Sequence, residues 1–123
     1  MNELIEFLRA RLDEDEATAK ASSGGGQEWQ AADQASCECC TNVRTAQGVL
    51  VCTPDDDDAP HIALHDPARA LAEIEAKRKI IASWEKIRFY GGLPLVEGAA
   101  AIAVRCLAAV YANHPDYRKE WKP

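Results

Sequence analysis

Apolar residues recur at helical spacing near the start of the chain and again in its second half, with a stretch between that has neither helical period. Leu4, Ile5, Leu8 and Leu12, with Phe7 beside them, mark one face of an amphipathic helix, and the spacing predicts a helix over about 3–20. Asn2 stands where it can cap that helix. Glu3, Glu6, Arg9, Asp13 and Glu16 fall on the other face and read as solvated surface. The run ASSGGG at 21–26 ends the helix, because three consecutive glycines carry backbone freedom that a helix would have to remove. It is no phosphate cradle: no strand precedes it and no Gly-Lys-Ser/Thr follows.

From 27 to 53 the pattern shifts to short runs with β-branched residues and turn formers, and Val49, Leu50 and Val51 are the clearest strand. A hairpin pairing Asn42–Thr45 with Gly48–Cys52 across Ala46 and Gln47 is expected, with Trp29 on a further strand or covering the hairpin from one side. An acidic loop at 54–59 holds Asp55 to Asp58, which repel one another and should be exposed. They lack the ligand spacing of a calcium loop.

Asp66-Pro67 is a strong helix start. The carboxylate can accept backbone N–H groups, and proline at the first helical position gives up no needed donor. A second helix over about 67–89 follows, with Leu71, Ile74, Ile80, Ile81, Trp84 and Ile87 on a broad apolar side. Lys77, Arg78 and Lys79, one turn beyond Glu73 and Glu75, predict ion pairs within the helix. Gly91, Gly92 and Pro94 break the chain, and a third long helix is expected over about 95–112, with Val96, Ile102, Leu107 and Val110 facing inward. His114-Pro115 ends it, and Tyr117 and Trp121 in the tail at 113–123 offer anchors onto the body. The expected fold is α+β, mainly helical: one domain over 1–123, with three principal helices and a small antiparallel β-hairpin between the first and second.

A chain of 123 residues can bury a core without disulfides or metal. With 20 acidic against 14 basic residues the formal net charge is -6, which opposes general binding to phosphate backbones, so a nucleic-acid partner is disfavoured. The opening MNELIEFLRARLDEDEA interrupts its apolar residues with charges, unlike a signal peptide, and no stretch approaches a membrane span, so a cytoplasmic location with no membrane contact is expected. Five cysteines are an odd number for a disulfide framework, and reduced thiols are the better reading. Cys106, in VRCLAAVY, reads as a small residue packed in the core.

The candidate chemistry lies at His61 and His65. A helical turn begun by Pro60 sets them one turn apart on one side. Zinc accepts two imidazoles at that spacing together with two thiolates from Cys37, Cys39, Cys40 or Cys52. The architectural alternative has His65 bonded at the helix start and His61 partly exposed. A cysteine activated by a histidine that Asp66 orients would be nucleophilic, but no local signature of a catalytic cysteine surrounds any of the five, so no enzyme is expected. His114 reads as a cap or tail-docking residue.

Three segments, LIEFLRARLDEDEATAKAS, HIALHDPARALAEIEAKRKII and LAAVYANHPDYRKEW, resemble a family of small uncharacterised proteins of actinobacteria and their phages, a domain of unknown function. The resemblance places His61, His65, Asp66, Pro67, Arg69, Lys77, Arg78, His114, Pro115, Tyr117 and Trp121 on family-like positions and implies no activity or cofactor. The chain departs from that pattern at SSGGGQEWQ and ASWEKIRFYGGLPLVEG, so a metal site built on Cys37 to Cys40 would be its own. Together these observations point to a small non-enzymatic interaction or accessory protein, binding another protein or itself. A zinc-binding module is the alternative, and an acidic modulator of a host protein is a further one.

Overall fold

The computed structural model describes residues 1–22, 27–34 and 37–123, and the side chains of all these except 32–34 and 37–40. Four helices and one antiparallel sheet are formed among them, an α+β, mainly helical fold: α1 (Asn2–Ala21), β1 (Trp29–Gln34), β2 (Cys37–Thr45), β3 (Leu50–Cys52), α2 (Ala59–Leu64), α3 (Pro67–Phe89) and α4 (Pro94–Ala109), then a 3-10 turn at Lys119–Trp121. Of the expected glycine loop at 21–26, Ala21 is the last residue of α1 and residues 23–26 lie outside the described residues. The chain forms two compact units, Met1–Glu14 with Ile74–Pro123, and Asp15–Glu73.

The first unit is held by a core of large side chains. Leu4, Ile5, Phe7, Leu8 and Leu12 of α1 meet Ile74, Ile81 and Trp84 of α3, Val104 and Ala108 of α4, and Trp121 of the tail. Polar residues close the rim: Arg9 grips both oxygens of Glu85 at 2.8 Å, Arg78 reaches Asp13 at 2.7 Å, and Arg88 donates to the Asn2 side-chain oxygen at 2.7 Å. Thus Asn2 is the first residue of α1 and its side chain serves α3. The expected pairing of the basic run is realised within the helix for Lys79 and Glu75, 3.5 Å apart, whereas Arg78 also reaches across to α1.

Gly91 ends α3. Its φ of +67° is left-handed, and Gly92 N–H then returns to the Ile87 carbonyl at 3.0 Å, the bond pattern that terminates helices on glycine. Pro94 opens α4 after an extended Leu93. The tail docks as its aromatic residues predict. Phe7 is ringed by Tyr111, His114, Tyr117 and Trp121 at centroid distances of 5.1 to 6.2 Å. Arg118 binds both oxygens of Glu3 at 2.6 and 3.1 Å.

In the second unit the sheet order is β1-β2-β3. The expected hairpin forms, with Val43 opposite Cys52 and Arg44 opposite Leu50, and Trp29 begins a third strand opposite Thr45. The turn depends on Gly48 at φ +88°, while Thr45 Oγ1 accepts the Val49 N–H at 3.1 Å. A short helix, α2, lays Ala59 and Ala63 on the fully buried Val43, with Trp29, Cys52 and Ile62 packed around them. Asp55 to Asp58 are exposed as expected, and Asp56 accepts the Thr41 N–H at 3.1 Å.

One prediction about α4 is overturned. Val96, Ile102 and Val110 point outward, being 44%, 58% and 69% exposed, Cys106 is exposed on the same helix and not packed in the core, and Ile80 of α3 is likewise exposed. The inward residues are Val104 and Ala108, with Ala100 and Leu107 half-buried beside them. The small alanine side of α4 lies closest to the core, and the larger aliphatics are left outside. The helix also ends at Ala109, short of the expected 112.

Candidate functional site

His61 and His65 sit as their spacing predicts. Pro60 lies in the first turn of α2, His65 caps its end, and the two imidazoles are 4.6 Å apart between centroids and exposed. The residue that fixes this neighbourhood is Asp66. One carboxylate oxygen accepts Arg69 N–H at 2.8 Å, capping α3, and the other accepts Trp29 N–H at 3.1 Å, tying that helix start to the first strand. Ala68 N–H adds a bond to the Gln27 carbonyl at 3.0 Å. Asp66 is thus spent on backbone groups, a structural use rather than the orientation of a histidine.

Of the thiols named with this pair, Cys52 is half-buried opposite Val43, in the cluster on which α2 packs. Cys37, Cys39 and Cys40 belong to β2, but their side chains lie outside the described residues. Among the described residues no three His, Cys, Asp or Glu side chains gather as a metal would need. A cleft beside α2, about 530 Å³ and lined by Trp29, Pro60, Asp66 and Arg69, does not include either histidine.

His114 has the docking role expected of it. Its Nδ1 accepts the Asp116 N–H at 3.1 Å, and Arg11, buried by α1 and the tail, lies within 2.8 Å of Nε2 while its Nη2 donates to Glu14 at 2.6 Å. Arg11 also lies over the Phe7 ring at 5.3 Å. The cluster is polar stitching between helix and tail.

Sequence reasoning missed the outer face of α4. Leu95, Ala99, Ile102, Cys106 and Val110 recur at i, i+4, i+7, i+11 and i+15, one face of a helix, and all are exposed. Gly98 and Ala103 flank them, also exposed. The only charges between 94 and 110, Glu97 and Arg105, are half-buried and fall off this face. A surface helix normally turns polar residues to solvent; α4 is apolar on both sides. The signal was available, since no polar face can be drawn on PLVEGAAAIAVRCLAA.

No helix among the described residues is long and apolar enough to cross a membrane. The model of DUF6221, described as a family of unknown function, matches residues 1–123. No match was found among curated proteins or among solved structures.

Proposed function

Because the chain belongs to this family of unknown function, we propose from its own residues that it is a small, non-enzymatic, cytoplasmic interaction protein whose partner is a protein. The observation that supports this reading is the uncharged outer face of α4, with Leu95 85% and Ile102 58% exposed. Covering such a face gains roughly 25 cal/mol for each Å² of apolar surface removed from water, and its flat, aliphatic character offers nothing to orient a small substrate. Cys106, exposed on that face, is a built-in probe. Its alkylation rate, followed by peptide mass spectrometry, should be several-fold slower in a concentrated extract of cells that make the protein than in dilute purified protein. Equal rates would remove the interaction reading.

The second reading is zinc. It is supported by the 4.6 Å His61–His65 pair and by the thiol-rich sequence of β2. About one zinc per chain after purification without added metal, lost in His65→Ala, is the expected result; metal-free protein with five titratable thiols after unfolding would exclude it. A phage-linked modulator that occupies a basic site on a host protein draws support from the net charge of -6, and its binding would weaken with added salt.

A further inference from the structure

We infer that the outer face of α4 is closed by a second copy of the same chain, the two α4 helices packing antiparallel about a two-fold axis. This rests on the interaction reading above and names its partner. Two observations select a copy of the chain.

The first is area. Tyr90, Leu93, Leu95, Val96, Ile102 and Val110, on α4 and the turn that enters it, are 79%, 74%, 85%, 44%, 58% and 69% exposed. Summed over whole residues they expose on the order of 700 Å², near the ~800 Å² that each partner buries in a standard interface.

The second is the order of large and small residues along the face. When two copies run antiparallel with the axis between Ala100 and Ala101, residue i meets residue 201 minus i. Leu95 then lies over Cys106, Ile102 over Ala99, and Gly98 over Ala103. Along the row of Leu95, Ile102 and Val110 each large side chain falls on a small one, Val110 meeting Gly91, so that row is its own complement, as an isologous contact requires. Small residues between the aliphatics let the backbones approach, and the absence of charge on the face means that no like charges meet across the axis.

The charge of the whole chain gives a further signature. Two copies, each at -6, repel at long range, and salt screens that repulsion. Dimerisation through an uncharged face should therefore tighten with added salt.

Sedimentation of the purified full chain from about 1 to about 500 μM should show a monomer–dimer equilibrium. Ile102→Glu should weaken it at least tenfold with the helical circular dichroism unchanged. The register has its own test, which does not depend on that variant folding. In Leu95→Cys, residue 95 faces Cys106 of the other copy, so a mild oxidant should join them as a 95–106 disulfide identified by peptide mass spectrometry. Two Cys106 thiols, displaced by 11 residues or ~16 Å along the helix, should not join in the unsubstituted chain.

A strict monomer at every concentration overturns the copy, as does a dimer that forms a Cys106–Cys106 link, ignores Ile102→Glu or loosens with salt. A monomer whose Cys106 is nevertheless protected in the cell extract leaves the interaction reading standing with a different partner. Failure of both removes the two together.

Discussion

The two compact units of this chain are held by different physical means. Met1–Glu14 with Ile74–Pro123 buries leucines, isoleucines, phenylalanine and two tryptophans in one cluster, whereas the apolar cluster among the described residues of Asp15–Glu73 is small, Val43, Ala59 and Ala63 with Trp29, Cys52 and Ile62 partly covered. The first gains its stability from apolar area and dispersion. The second depends more on directed bonds: the Asp66 double cap, the Thr45 bond across the turn, and the Asp56 bond to Thr41. A volume change should therefore weigh most in the helical unit, and loss of a single acceptor in the sheet unit.

The sharpest break of that contrast is Leu8→Ala. Leu8 is 1% exposed amid α1, α3 and α4, and a leucine truncated there costs about 2–5 kcal/mol, the spread reflecting how far the cavity collapses. Chemical denaturation reads this directly. A cost under about 1 kcal/mol would mean that the helical unit is not held by packing, contrary to the comparison.

Asp66→Ala comes next, at about 1–2 kcal/mol, since it removes a helix cap and leaves the Trp29 N–H without its acceptor. Asp66→Asn should recover part of this, because the amide retains one accepting oxygen. Hydrogen exchange separates the two bonds: the amides of Trp29 and Arg69 should exchange faster in the alanine variant, while those of α4 should not change. Equal acceleration everywhere would show a global loss and not a local one. Smaller again is Gly48→Ala, about 1 kcal/mol, because at φ +88° a Cβ is strained although nothing lies within 4 Å of it. Its midpoint in denaturant should fall without a change of slope.

How legible each unit was follows from the same physics. Helix α1 and the α3 start could be read because their signals are local: a period set against charges, and Asp66-Pro67 in adjacent positions. The hairpin at Thr45–Gly48 was equally local. Strand β1, WQAADQ, has no β-branched residue, and its strand character comes from pairing with β2, which sequence does not display. The inward face of α4 was misread because period alone cannot choose between two apolar sides. Size suggested Ile102 and Val110 inside, but the close approach of the helix to α1 and α3 admits Val104 and Ala108 instead. The His61–His65 pair was legible from its i, i+4 spacing, whereas the outer face of α4 emerges only once the inward side is known.

The smallest expected effect tests the rim of the helical unit, where directed bonds are present but exposed. Arg9 and Glu85 make a bidentate pair at 2.8 Å, with side chains 55% and 40% exposed. Water and salt compete for both groups, so a double-mutant cycle of Arg9→Ala and Glu85→Ala should give a coupling of only about 0.2–1 kcal/mol, shrinking further as salt is raised. Asp66 works differently: it accepts from two backbone amides that the fold has already placed, so less side-chain freedom is lost for each bond made. The same kind of atom pairing thus carries more weight in the sheet unit than at the helical rim. A coupling above about 2 kcal/mol that survives high salt would show that Arg9 and Glu85 help hold the helices together, and the division between a packed unit and a bonded one would no longer stand.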